Sequence, residues 1–156
     1  MISLVRVDDR LVHAQVVVGW IEYLRCLHVV VVDDAVADDP DRVELFRMVV
    51  PQEVELDAMS TGTLAAQWDE MAVSADPVLL LFANPLSLES SVNLGIRPRE
   101  VNLGGMHVAP GRHSWIHGLY ASDTEIASIR KMTGMGIAFE IRTIPTAKPR
   151  ELDGEV

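Results

Sequence analysis

Lysine is nearly missing from this chain: Lys131 and Lys148 are the only two, and every other cationic side chain is arginine. Cysteine is scarcer still, and the lone Cys26 excludes an internal disulfide; it follows a helical run and reads as a buried, reduced thiol without chemistry of its own. No apolar run approaches the roughly 20 residues that span a bilayer, and the N-terminus lacks the basic start and small-residue cleavage site of a signal peptide, so a cytoplasmic protein is expected. A basic face is also absent. The formal net charge is -10, with acids gathered at Asp33, Asp34, Asp38, Asp39 and Asp41. That excludes a nucleic-acid footprint and points to small molecules or basic proteins as partners. Neither an internal repeat nor a Pro-, Gly- or Ser-rich linker divides the chain. Its 156 residues, 49% hydrophobic, therefore read as a single domain over 1–156 with a polar tail, 149–156, that is expected to fray.

What is present alternates. Ile2 to Val7 reads as a first strand, and His28 to Val32 and Val78 to Phe82 are continuous apolar runs typical of strands buried on both faces. Further strands are expected at Val54 to Met59, Glu100 to Leu103, Trp115 to Tyr120 and Ile137 to Ile144. Helical patterns fall between them at His13 to Arg25, Asp41 to Val50, Thr63 to Met71, Leu86 to Leu94 and Asp123 to Met132. Strand and helix in alternation predict an α/β fold with a mainly parallel sheet. Ser122 and Glu125 have capping-box spacing, Gly134 or Gly136 suits that helix's end, and Pro40 suits a first helical turn after Asp39. Trp20, Trp68 and Trp115 read as packing residues, with Trp20 or Trp115 a candidate for a subunit contact.

In open parallel sheets ligands bind beyond the carboxyl ends of the strands. The residues found there are Asp8, Asp9, Arg10 and His13 after the first strand, Asp33 and Asp34 after the second, Asn84 after Val78 to Phe82, and Gly104, Gly105, Met106 and His107 after Glu100 to Leu103. The turn VDDRLVHAQV is the densest of these. A histidine at a helix start lies in positive potential that favours the neutral ring, whose lone pair can attack phosphorus. Arg10 could set its planar fork on the phosphoryl oxygens, and the free amides of the helix start could hold the same anion. One ring nitrogen would be the nucleophile and the other a donor to a carbonyl or carboxylate. Asp8 or Asp9 reads as an N-cap, Gly104-Gly105 as either an anion cradle or a tight turn, and Asp33-Asp34 as an acidic surface loop, with no metal assigned. The spacing of His107, His113 and His117 matches no zinc pattern, so they read as surface or interface residues.

VDDRLVHAQV resembles the (I/V)DDRL(I/V)HGQV turn of the IIB subunits of the mannose/fructose/sorbose phosphotransferase system. The likeness continues in order through VVVVDDAVADD, LLLFANP, VNLGGMH and GIAFEIRTIP. The resemblance implies a doubly wound, mostly parallel open sheet with helices on both faces. It also implies a cytoplasmic phosphocarrier that takes a phosphoryl group from a phosphohistidine of a IIA protein and passes it to sugar during uptake through IIC and IID membrane subunits. By the same resemblance His13 carries the phosphoryl group on Nδ1, Arg10 supports it, no cofactor is needed, and homodimers are common; Asp9, Asn84, Gly104 and Gly105, from their places at the strand ends, are expected to line the phosphate or partner site. One position departs from the pattern, since Ala14 stands where the family has glycine. With φ above zero an alanine there would strain the turn by about 1 kcal/mol; in a helical conformation it would favour the helix slightly. Two other readings compete: a regulatory protein phosphorylated on His13 without a transporter, and an aspartate-phosphorylated receiver. The second requires a lysine at a later strand end, which neither Lys131 nor Lys148 supplies.

Overall fold

Unbroken valine and leucine runs bury a backbone only if both faces of the sheet are covered. The computed structural model, which describes residues 1–152, meets that condition. In chain order its elements are β1 (Ile2–Asp8), π1 (Gln15–Ile21) running into a single turn α1 (Glu22–Leu24), β2 (His28–Val32), α2 (Asp34–Ala37), α3 (Pro40–Arg47), β3 (Glu55–Met59), α4 (Thr61–Val73) and β4 (Val78–Phe82). There follow α5 (Pro85–Asn93), β5 (Glu100–Gly105), a small hairpin β6 (His113–Ser114) and β7 (Tyr120–Ala121), α6 (Asp123–Gly134), β8 (Ala138–Ile141) and β9 (Arg150–Glu151). The main sheet has the order β3-β2-β4-β1-β5-β8-β9. All pairs are parallel except β8 with β9.

Side chains alternate across this sheet and build two cores. Val30, Val32, Leu80 and Phe82 face one layer with Leu64 of α4, Leu88 of α5 and Ile129 of α6. Val29, Val31, Leu79 and Leu81 face the other with Val16 and Trp20 of π1, Val36 of α2 and Val43 of α3. The fold is thus doubly wound, as expected. The chain steps outward from β1 through β2 to β3, returns to place β4 beside β1, then crosses to β5 on β1's other side. The carboxyl ends of β4, β1 and β5 therefore flank the point where strand order reverses, the usual crevice of such sheets.

Helix starts are fixed by side-chain caps: Asp39 accepts from the Arg42 amide, Ser60 from Thr63, and Asn84 from Ser87. Ser122 and Glu125 form the anticipated reciprocal box. Asp33 caps α2 through the Val36 amide, and Asp34 accepts from the Thr61 amide, so the acidic pair serves backbone geometry.

Four local expectations give way. Of the strand expected over 115–120 only Tyr120 is extended, as the start of β7; residues 115–119 form a turn, because His117 and Gly118 take positive φ of 47° and 83° and reverse the chain between β6 and β7. The last parallel strand stops at Ile141, where the next two carbonyls bend toward Arg6. The tail does not fray as far as it is described: β9 pairs with β8 and Leu152 is buried in the first core, while 153–156 lie outside the described residues. Trp20 is wholly buried and so is no subunit contact. No helix among the described residues is long and apolar enough to cross a membrane.

Leu80 is fully buried at the centre of β4, so Leu80→Ala should lower the unfolding free energy by about 2–5 kcal/mol in urea titration. Val73→Ala, at an exposed helix end, should change it by less than about 0.5 kcal/mol.

Candidate functional site

Three neighbouring strands each carry a buried polar side chain between apolar neighbours, and register stacks them. Arg6 of β1 pairs with Asn102 of β5, which pairs with Glu140 of β8. All three are buried. A buried guanidinium must find acceptors for its donors. Arg6 Nη1 donates to Asn102 Oδ1 and to the Arg142 carbonyl, and Nη2 donates to Asp8 Oδ2 at 2.8 Å and to the Thr143 carbonyl. Nε finds no oxygen. Asn102 Nδ2 passes the chain on to Glu140 Oε1 at 3.1 Å, which also accepts from Arg142. The guanidinium groups of Arg6 and Arg142 both lie over the Trp20 ring, 5.2 and 4.9 Å from its centroid.

This arrangement explains the glycine pair. Gly104 and Gly105 lie inside β5, not in a turn. A Cβ on Gly104 would overlap the Arg6 guanidinium, and one on Gly105 would come within 2.9 Å of Asp8 Oδ1. The space they leave is filled by Arg6 and Asp8, so the pair is not an open anion cradle.

Beyond β1 the chain turns sharply. The Leu11 amide donates to the Asp8 carbonyl at 2.9 Å, and Leu11 adopts φ +54° while its side chain is buried in the second core. Such a backbone costs about 1–3 kcal/mol in a non-glycine residue and persists only where packing enforces it. Asp8 and Asp9 do not cap the following helix, contrary to expectation. Asp8 is fully buried, with Oδ2 also 3.0 Å from His13 Nε2 and Oδ1 receiving the Arg10 amide and Arg10 Nε. Burial pushes the Asp8 carboxyl up, but the His13 hydrogen bond and the Arg6 charge outweigh it and hold the group well below the usual carboxylate range.

An ionised Asp8 can only accept, so the proton of the contact belongs to His13 Nε2. The Gln15 amide, 3.3 Å from Nδ1, can only donate, so Nδ1 presents a lone pair. The His13 side chain is 15% exposed and sits just ahead of π1. Arg10 is held over the same corner by Asp8 and by Gln15 Oε1 at 2.9 Å. Gln15 was not expected in this role, although its place two residues after His13 at a helix start is a legible signal. Ala14 has φ -52° and ψ -42°, a helical conformation in which alanine is the favoured residue.

Asp9 turns the other way. It accepts from the His107 amide and Arg112 Nη1, at 2.7 and 2.6 Å, and its Oδ1 lies 2.6 Å from His107 Nδ1. Arg112 also grips Glu125 with two nitrogens, and Glu125 accepts from the Ser122 amide. Burial raises the Asp9 and Glu125 carboxyls, and these donors more than reverse it; hydrogen bonding to Glu125 raises Arg112 despite burial. The cluster walls an open cleft of about 600 Å³ shared with Arg10 and Asn84. Asn84 spends its oxygen on the α5 cap. His113 and His117 lie elsewhere, beside Asp123 and Arg150. No group of residues among those described could hold a metal ion.

The sequence profile of the family described as PTS system sorbose subfamily IIB component matches residues 2–155. The PTS system mannose-specific EIIAB component of Escherichia coli (strain K12) is 30% identical over 146 residues, 94% of this chain and 45% of that protein. The chain thus spans about half the length of that curated relative. The fructose-specific EIIB component of Bacillus subtilis (strain 168) is 28% identical, covering 93% of this chain and 89% of the relative. The crystal structure of the PTS system N-acetylgalactosamine-specific IIB component 1 from Escherichia coli superposes with a TM-score of 0.88 at 26% identity, covering 96% and 98% of the two chains. The chain belongs to the sorbose subfamily of phosphotransferase-system IIB components.

Two consequences are measurable. Gly104→Ala should displace Arg6 and destabilise the fold by about 2–4 kcal/mol in chemical denaturation, whereas Gly134→Ala, whose Cβ meets nothing, should be near neutral. Asp8 has a native value depressed below its unfolded one of about 3.9. Its stabilisation is therefore present above that value and is lost as pH falls through it toward the depressed native one. The difference in unfolding free energy between the parent and Asp8→Asn should be widest near neutral pH and shrink on acidification below about pH 4.

Proposed function

We propose that this sorbose-subfamily IIB component is a phosphocarrier whose His13 takes a phosphoryl group on Nδ1 from a phosphohistidine of a IIA protein. It then passes the group to a sugar during uptake through IIC and IID membrane subunits, working at the cytoplasmic face. Members of its family are components of a phosphotransferase system, and the mannose-specific relative carries IIA and IIB parts in one chain. The observation that carries the reading is the state of one ring. Nδ1 of His13 is left with a lone pair at the carboxyl edge of the sheet, beside an arginine and the amides of a helix start.

The chemistry asks little of the protein beyond alignment. Transfer between two imidazoles is close to thermoneutral, so rate comes from in-line positioning and from stabilising charge on the equatorial oxygens. Arg10 supplies that charge. Its guanidinium is only partly tied down, 38% exposed, and can meet a phosphoryl group on Nδ1 without leaving Asp8. The first amides of π1 are already engaged, Gln15 with His13 Nδ1 and Val16 and Val17 with the His13 carbonyl, so the Gln15 amide is the one that a phosphoryl group on Nδ1 would meet. Asp9 fixes the turn's other flank through His107 and Arg112, and Asn84 edges the cleft by which a partner's loop would approach. Relatives at comparable identity carry the names of different sugars, so no single sugar is proposed.

The test is incubation with radiolabelled phosphoenolpyruvate, the general phosphotransferase proteins and a mannose- or sorbose-type IIA protein. The chain should acquire acid-labile, base-stable label that His13→Ala abolishes; label persisting in that variant would remove His13 from the scheme. Arg10→Ala should fold normally and slow transfer about 100-fold, and unchanged kinetics would mean that Arg10 plays no part.

A further inference from the structure

The buried pair behind His13 is built more heavily than a surface histidine needs. Asp8 is fully buried, and its two oxygens meet Arg6 Nη2, the Arg10 amide, Arg10 Nε and His13 Nε2. Arg6 is in turn held by Asn102 and by two backbone carbonyls. The carboxylate can neither rotate away from the ring nor pick up a proton without breaking a buried ion pair. We propose that Asp8, clamped by Arg6, is a positioning residue that keeps a proton on His13 Nε2 throughout phosphoryl transfer, so that the ring gains and loses the phosphoryl group at Nδ1 without moving a proton. The proposal rests on the function put forward above and deepens it.

The step balances as follows. The Nδ1 lone pair of His13, released by the Gln15 amide, forms the new N–P bond while the donor's N–P bond breaks and its electron pair stays on the donor imidazole. The ring of His13 then carries the phosphoryl group on Nδ1 and the original proton on Nε2. The positive charge this places on the imidazole faces the Asp8 carboxylate. On return the N–P electron pair goes back to Nδ1 and the neutral Nε2–H ring is restored. A substituted imidazolium in water would shed its proton near neutral pH, and the neutral ring left behind would be a poor leaving group. The fixed Asp8 carboxylate, 3.0 Å from Nε2, is placed to accept a hydrogen bond from that proton and keep it on the ring.

Other charges near the ring do not do this. Arg10, from the turn, is a cation and opposes an imidazolium. Glu140 and Arg142, of β8 and the residue after it, reach Asp8 only through Asn102 and Arg6. The Asp9, His107 and Arg112 cluster lies beyond Gly105 and is paired within itself. A purely structural Arg6–Asp8 pair would alter stability when removed but leave the ring's protonation untouched.

The experiment is nitrogen-15 NMR on the full chain labelled at histidine. The unphosphorylated parent, alkaline of its ring titration, should show His13 as the Nε2–H tautomer; a dominant Nδ1–H form overturns the proposal without any variant being made. In the phosphorylated chain at neutral pH, Nε2 should carry its proton, read from its one-bond nitrogen–proton coupling, and a bare Nε2 overturns the proposal. Asp8→Asn, which keeps an acceptor but not the charge, should preserve the tautomer of the unphosphorylated ring, speed exchange of the Nε2 proton with water about 10-fold in the phosphorylated chain and slow transfer. Parent-like exchange and transfer in a folded Asp8→Asn variant also overturn the proposal. If no IIA protein delivers label to His13, the phosphocarrier reading fails while the tautomer result stands on its own.

Discussion

A guanidinium has been placed in the middle of a parallel sheet, at a position where the strands on either side offer valine, leucine and glycine. Arg6 cannot be neutralised cheaply and cannot reach water. Burial draws its basicity down, and the Asp8 carboxylate opposes that pull. The neighbouring sequence is therefore obliged to supply acceptors and room. Asn102 and Asp8 face its two terminal nitrogens, the last parallel strand ends early so that its following carbonyls can join them, and two successive glycines of β5 leave the volume that the side chains occupy. The contact of the Trp20 ring with Arg6 and Arg142 extends the same constraint into the helical layer, because the indole must be presented by π1 at one particular angle.

The geometry of the reactive ring is downstream of this. Asp8 is oriented by Arg6 before it meets His13, and it meets His13 only because the chain reverses within the few residues that follow β1. Leu11 holds that reversal by taking a left-handed conformation and burying its side chain, so the second core enforces the turn that the first shell of polar contacts requires. Asp9 then braces the opposite flank through a loop from beyond β5. The site is a junction of two polar networks that meet at adjacent aspartates and diverge to opposite sides of the sheet's carboxyl edge.

Much of this was legible in the sequence, for identifiable reasons. The valine and leucine runs of β2 and β4 announced a sheet covered twice, and their alternation with helical patterns announced parallel strands. His13 and Arg10 were legible because they act within one short turn, where spacing alone brings them together. The contact partners of Asp9 were not, since His107 and Arg112 arrive through a loop whose path depends on the hairpin of β6 and β7. Residues 115–120 resembled a strand because their apolar and aromatic side chains have that propensity; Gly118 with its positive φ overrode them. Arg6, Asn102 and Glu140 each left a faint trace as a polar residue flanked on both sides by apolar ones. The trace becomes an argument only when register shows the three side by side. The roles assigned to Gly104, Gly105, Asp8 and Asp9 followed from that missing register: each was read by its local habits, while each is used for long-range fit.

The carbonyls of Arg142 and Thr143, which complete the coordination of Arg6, belong to the far end of the chain from His13. On a ribosome adding roughly 5–20 residues per second, the segment bearing those carbonyls follows the histidine by something on the order of ten seconds. During that interval the residues of the β1 turn exist, but the carbonyls that complete the Arg6 clamp do not. A nascent or truncated chain consequently displays the whole VDDRLVHAQV motif without the full set of acceptors around Arg6. The electrostatic setting of His13 is thereby a property of the completed fold and not of the ten residues that contain it.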